Sequence, residues 1–482
     1  VEELARTKFG VAYLYPIQRF VISNILEGQP QIVILPTGAG KSLCFQLPSL
    51  LLPGPTLVLM PLLSLLSDQL RKMQAAAMPA AVLRGGLAPE EKRRLFQGMR
   101  KGETRLVLAT PEACLAEQNL SALLDCGVAH VVIDEAHCVS EWGESFRPAI
   151  LQAGSIARRL GVRMVSAFTA TASDAVIQKI KSLLFSDAEV RVVAGSADRP
   201  GIHYAVIPVL ARRHALSDLA QSAPRPLLVF CRTRSDVEMA AREVRRRRPD
   251  LPVSFYHAGL SREERSAVER WFLESRDGAL FSTCAYGMGV DKPDIRTVVH
   301  AAVPPSVEAY LQESGRAGRD GKPSHAVLLV ARDEEAFRSR LTEPVARQRY
   351  ERMLDYARAV GACRRGALLS LIGQEAPACS GCDVCDGTAQ LLAAGEREIL
   401  RLAKRFPRRL SVGQAAEVLS AARGPRPVRS FHDALPGYGA LAGWEADDVE
   451  AALNAMIAEG KVAVASRWPW KGTISSKERR RV

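Results

Sequence analysis

The stretch QIVILPTGAGKSLC, Gln31 to Cys44, most constrains what this chain can fold into. An apolar, β-prone run enters a glycine-bearing turn, and a helix-compatible run begins at Lys41. Gly38 and Gly40 let backbone N–H groups turn inward, and the helix start behind them favours anions, so the segment makes a cradle for phosphate oxygens. Thr37, Gly38 and Gly40 would line it; Lys41 would reach the β and γ phosphates of ATP, and Ser42 would hold Mg²⁺. A strand that delivers such a loop belongs in a parallel sheet, where ligands gather at the carboxyl ends of the strands.

The rest of the chain agrees with that sheet. Short runs such as TLVLM, LVLAT and VVIDE alternate with amphipathic helix-length segments up to about Phe185. A second set, PLLVFC, PVSFYH, GALFST, TVVHAAV and HAVLLVA, repeats the pattern between about Arg225 and Ala331. The fold class is therefore α/β, with two parallel-sheet domains in tandem. The expected divisions are 1–197 and 198–337 for the sheet domains, linked near AGSADRPGI, then a helical cysteine-bearing subdomain over 338–388. Helices followed by the strand-like KVAVASRWPWKG predict a winged helix over 389–472, with a basic tail over 473–482.

In HVVIDEAH, Asp134 and Glu135 end an apolar run, and they supply what phosphoryl transfer to water asks of a protein: a Mg²⁺ ligand and a group that orients or deprotonates water. In YLQESGRAGRDG, Arg316 and Arg319 are three residues apart and can face one side, as guanidinium groups brought to the γ-phosphate from the second domain. Lys and Arg outnumber Asp and Glu by 65 to 52, and a net charge of +13 favours a polyanion such as nucleic acid. The most apolar run, Leu50 to Leu66, is interrupted by Pro53, Gly54, Pro55 and Pro61, so no membrane span or secretory signal is expected.

Six cysteines are scattered, whereas Cys363, Cys379, Cys382 and Cys385 crowd into one segment ending in Cys-x-x-Cys-x-x-Cys. That spacing predicts a closed tetrahedral thiolate site for Zn²⁺ in a reducing compartment, with an iron–sulfur cluster as the rival occupant.

With TGAGKS, DEAH, FTATAS (Phe168 to Ser173), YGMGVDKPDIRTVVH (Tyr286 to His300) and QESGRAGRDG in this order, the chain resembles superfamily 2 helicases of the RecQ family over nearly its whole length. The resemblance implies two RecA-like domains, a zinc-binding subdomain and a winged helix, driving ATP-dependent 3′ to 5′ unwinding of DNA in repair and recombination. It further implies, for a bacterial source, a cytoplasmic, nucleoid-associated monomer that acts on single-stranded and forked DNA without a membrane; its protein partners stay open, a single-stranded-DNA-binding protein being one candidate. Gln18 would read adenine, Gly289 and Asp291 would join the nucleotide site, Thr169 and Thr171 would link ATP state to DNA grip, and Arg319 would be the preferred finger. A DEAH-type RNA helicase or remodelling ATPase shares this engine but has no reason for the zinc segment and winged helix.

Three features depart from the family pattern. LYPIQ puts Tyr15 where an arginine is common, Glu144 and Ser145 replace a usual His-Asp pair, and no helical accessory domain is expected before the last residue given, Val482. Trp142 and Phe146, only seven and eleven residues beyond Glu135, are aromatic among polar neighbours. With Arg147 they predict a loop that stacks on unpaired bases and reports to the γ-phosphate water. Trp468 or Trp470 is the candidate stacking wedge at the wing, with packing beneath the wing as the plainer alternative.

Overall fold

The computed structural model describes residues 1–36, 39–61, 66, 69–70, 73–74, 76–138, 148–170, 172–185, 189–287, 292–375, 378–421 and 435–477. Among these, seven strands form the first sheet: β1 Gln31–Ile34, β2 Thr56–Leu59, β3 Ala80–Leu83, β4 Leu106–Ala109, β5 His130–Ile133, β6 Val165–Thr169 and β7 Arg191–Ala194. Their order is β3-β4-β2-β5-β6-β1-β7, and every pairing is parallel. The inner strands are buried along their full length, so both faces must be covered by helices.

The second sheet, among the described residues, has six parallel strands: β8 Ile202–Pro208, β9 Leu227–Phe230, β10 Val253–Tyr256, β11 Ala279–Ser282, β12 Thr297–His300 and β13 Ser324–Val330, ordered β10-β11-β9-β12-β13-β8. Its core is not closed by its own helices alone. The helices Pro344–Arg358 and Arg364–Leu371 share one apolar cluster with it, placing Tyr350, Met353, Leu354 and Leu368 against Tyr204, Leu228 and Tyr310.

A separate core, with Ile399, Leu402, Val418, Leu453, Met456 and Ile474, is built by helices Glu396–Arg405, Val412–Ser420 and Ala446–Ala458 and an antiparallel hairpin, β14 Val462–Val464 with β15 Ile474–Ser476. The hairpin corrects one expected boundary. The wing closes at Ser476 rather than at residue 472, because Ile474 is a core residue paired to Val464 and not the start of a tail. No helix among the described residues is long and apolar enough to cross a membrane.

Candidate active site

β6 lies between β1 and β5, so the loops after β1 and β5 and the end of β6 open on one edge of the first sheet. Lys41 begins the helix Lys41–Ser49, whose N-cap Gly40 stands at φ 75°. Glycine enters that left-handed region at little cost, and a Cβ here would also come 2.5 Å from Gln18 Nε2. Gln18 is buried, with Oε1 accepting from the Tyr15 N–H at 3.0 Å and Nε2 donating to the Ala39 carbonyl at 2.8 Å. Gln69 Nε2 donates to Ser42 Oγ at 3.3 Å.

After β5, the Asp134 N–H bonds the Leu59 carbonyl at 3.0 Å, and the Asp134 carboxylate accepts the Glu135 N–H at 2.9 Å. Glu135 has φ 51°, a conformation costly for a non-glycine residue and one that clusters at functional sites. Its Oε1 is 3.7 Å from Lys41 Nζ, and its Oε2 is 3.5 Å from His137 Nδ1. The same imidazole nitrogen is 3.1 Å from Thr169 Oγ1 at the end of β6. Burial, helped by the neighbouring Glu135 charge, pushes the Asp134 carboxyl up to about 6. Burial acts on Glu135 too, but Lys41, His137 and Arg316 together outweigh it and hold that carboxyl below its ordinary value. The two adjacent carboxyls thus stand in different electrostatic environments, an arrangement found where two carboxyls take separate roles.

The second sheet domain completes the site. Beyond the helix Val307–Ser314 the chain turns, and Arg199 donates to the carbonyls of Gly315 at 2.7 Å and Ala317 at 3.0 Å, fixing that turn. Arg316 is buried within it and lines, with Glu135 of the first domain, a cavity of about 250 Å³ between the sheets. Burial, with Arg319 beside it, lowers the Arg316 guanidinium to about 10, which leaves it charged at neutral pH. Arg319 is half-buried. His137, the last residue of DEAH, has no role assigned from the sequence; its ring joins Glu135 to Thr169.

Cys363, Cys379, Cys382 and Cys385 converge, with all four sulfurs within 4.8 Å of one another. Cys363 caps the helix Arg364–Leu371, its sulfur accepting from the Gly366 N–H at 3.4 Å, and Cys382 accepts from the Cys385 N–H at 3.4 Å. Burial would raise the Cys382 thiol, yet the backbone N–H groups of Cys385 and Arg364 hold it down to about 7, toward the thiolate a metal requires. Four sulfur donors with no other ligand type fit a closed structural Zn²⁺ site. The Asp383 carboxylate between the ligands accepts from Arg364 Nε at 3.0 Å and from the Val206 N–H of β8 at 2.9 Å, tying the centre to the second sheet.

Of the candidate DNA contacts, Trp142, Phe146, Arg147 and Thr171 lie outside the described residues, as do Thr37, Gly38, Gly289 and Asp291 of the nucleotide set. Trp468 is 88% exposed in the turn between β14 and β15, which corrects the alternative that it packs under the wing. Trp470 is half-covered, with the Arg408 guanidinium 5.3 Å from its ring centre.

Comparison with known proteins follows the same division. Residues 15–180 match the DEAD/DEAH box helicase family, 211–321 the helicase conserved C-terminal domain, 332–386 the RecQ zinc-binding family and 395–476 the RQC domain. The ATP-dependent DNA helicase RecQ of Pasteurella multocida is 33% identical over 450 residues, covering 89% of this chain and 70% of the relative. That of Haemophilus influenzae is 33% identical over 391 residues, covering 79% and 62%. The structure of the Mycobacterium smegmatis helicase Lhr bound to ssDNA and AMP-PNP superposes with a TM-score of 0.54 at 23% identity, covering 68% of this chain and 47% of that one, a likeness of fold. The zinc-binding match selects zinc over the iron–sulfur alternative for the four thiols. Because the RecQ likeness runs through both sheet domains, the cysteine centre and the wing, this chain belongs to the RecQ family of ATP-dependent DNA helicases.

Proposed function

We propose that this protein is an ATP-dependent DNA helicase that translocates 3′ to 5′ on single-stranded DNA and unwinds forked duplex, in the bacterial cytoplasm at the nucleoid, as a monomer in repair and recombination. Lys41 neutralises the β and γ phosphates, Gln18 reads the base, and Thr37, Gly38, Gly40, Gly289 and Asp291 complete the nucleotide site. Ser42 and Asp134 would hold Mg²⁺, which when bound supplies further neutralisation of phosphate charge. Glu135, kept ionised by Lys41 and His137, orients and deprotonates the attacking water. Arg316 and Arg319 approach from the second domain and stabilise transition-state charge. The observation that carries the reading is that Arg316 of one sheet domain lines the same cavity as Glu135 of the other, so that closing the cleft completes the hydrolytic set.

Thr169, bonded to the His137 ring, and Thr171 would pass the nucleotide state to the DNA track, with Trp142, Phe146 and Arg147 as the single-strand sensor. The test is ATP hydrolysis measured with single-stranded DNA, with RNA and with no nucleic acid, beside unwinding of a fork with either 3′ or 5′ overhang. Strong stimulation by DNA and unwinding from the 3′ overhang are expected. Stimulation by RNA alone would turn the assignment to an RNA helicase.

A further inference from the structure

The winged helix is held against the second sheet domain by charge as well as by its linker. The helix Arg234–Arg247 ends in Arg245, Arg246 and Arg247, while the helix Ala446–Ala458 starts at N-cap Glu445 with Asp447 and Asp448 in its first turn. A basic C-terminus therefore meets an acidic N-terminus, and each charge set complements its own helix dipole and the opposing set. Arg247 grips Asp448 with both nitrogens, Nη1 to Oδ2 at 2.5 Å and Nη2 to Oδ1 at 3.1 Å. Asp448 is fully buried there, and Arg246 Nη2 reaches Glu445 at 2.6 Å.

An aromatic contact lies beside the charges. The His214 ring stacks on Trp444 with centroids 4.1 Å apart and planes 27° apart, and its Nδ1 is 3.9 Å from Asp448 Oδ2. Toward the far end of the same helix Arg332 Nη1 donates to the Ala455 carbonyl at 3.0 Å, and Leu210 packs on the winged-helix core. Contacts at both ends of one helix fix orientation as well as position. A bidentate arginine–carboxylate pair is directional, and a buried Asp448 left without its arginine would be strongly unfavourable, so the docked arrangement is defined rather than loose.

We infer that Arg247 and Asp448, supported by His214 and Trp444, are positioning residues for unwinding: they make the winged helix travel with the second sheet domain, so that closure of the Glu135–Arg316 cleft drives the exposed Trp468 hairpin. The inference rests on the helicase reading above. It separates two quantities that are otherwise joined, since hydrolysis needs only the two sheets and a strand, whereas base pairs opened per ATP need the rigid link.

The experiment compares the parent with R247E, the charge swap R247E/D448R, R246A and H214A. For each it measures ATP hydrolysis on single-stranded DNA, base pairs opened per ATP on a fork, and the circular dichroism of the fold. R247E should keep hydrolysis within about two-fold while losing about five-fold or more in base pairs per ATP, and the swap should recover roughly half of that loss. R246A and H214A, at the partly exposed edge of the interface, should keep the fold and lose about two-fold in base pairs per ATP with hydrolysis unchanged. Parent values of base pairs per ATP in R246A and H214A, or in a folded R247E, overturn the inference; so does parallel loss of hydrolysis and unwinding in a folded R247E. A parent protein without DNA-stimulated hydrolysis removes the helicase reading instead, and this inference with it.

Discussion

Gln18 Nε2 donates to the backbone carbonyl of Ala39 at 2.8 Å, joining the first turn of the helix Pro16–Leu26 to the phosphate loop. The same side chain accepts the Tyr15 N–H, so the residue expected to read adenine also orders the loop that takes phosphate. On the proposed function, base recognition and phosphate binding would share one side chain.

Gln18→Ala should raise KM for ATP by roughly thirty-fold while changing kcat little, because two hydrogen bonds of about 1 kcal/mol each that order the nucleotide site are lost and none at the reacting atoms. Steady-state kinetics with saturating single-stranded DNA measure this. An unchanged KM would show that the loop is ordered without Gln18.

Glu135→Gln should leave ATP binding intact and lower kcat by about 10³, since the amide cannot take the proton from water. Arg316→Ala should have an effect of the same order for a different reason, removing charge from the transition state and one of the three neighbours, with Lys41 and His137, that hold the Glu135 carboxyl below its ordinary value. Arg319→Ala, whose guanidinium is half-buried, measures how the finger role is shared. Equilibrium nucleotide binding together with single-turnover rates distinguishes binding loss from chemical loss.

Removing the metal should damage more than the cysteine segment. Cys382 is fully buried, its backbone bridges to Tyr204 of β8, and the zinc-binding helices share a core with the second sheet. Cys382→Ser is therefore expected to lower zinc content well below one per chain and Tm by about 5 °C or more. Elemental analysis and calorimetry check it; full Tm without zinc would show that the shared apolar core suffices.

Trp468→Ala should be nearly silent for stability, within about 0.5 kcal/mol, because the ring is exposed. If that ring stacks on a base at the fork, worth roughly 1–3 kcal/mol, fork unwinding should fall about five-fold or more while hydrolysis on single-stranded DNA persists. Trp142→Ala is expected to behave in the opposite sense, keeping basal hydrolysis and losing its stimulation by DNA. Equal behaviour of the two variants in both assays would remove the division between sensor and wedge.

The amino-acid order alone determined the parts whose chemistry is local. A strand, a glycine turn and a helix start lie within the fourteen residues from Gln31 to Cys44, and the Asp134–Glu135 pair and the last three zinc-site cysteines each lie within a few positions. Their spacing is the geometry, so they could be read directly. Tertiary structure decided whatever depends on two distant segments meeting. Lys41 reaches Glu135 because β1 and β5 run parallel on either side of β6 and end at the same edge of one sheet, and Arg316 reaches the same cavity because two sheets face each other. The excess of Lys and Arg, read from the sequence as favouring nucleic acid, is in part used internally: Arg246 and Arg247 hold Glu445 and Asp448 of the winged helix. Charge counts cannot show this, because an arginine facing solvent and one holding a buried carboxylate about two hundred residues away have the same one-letter code but opposite availability to a phosphate backbone.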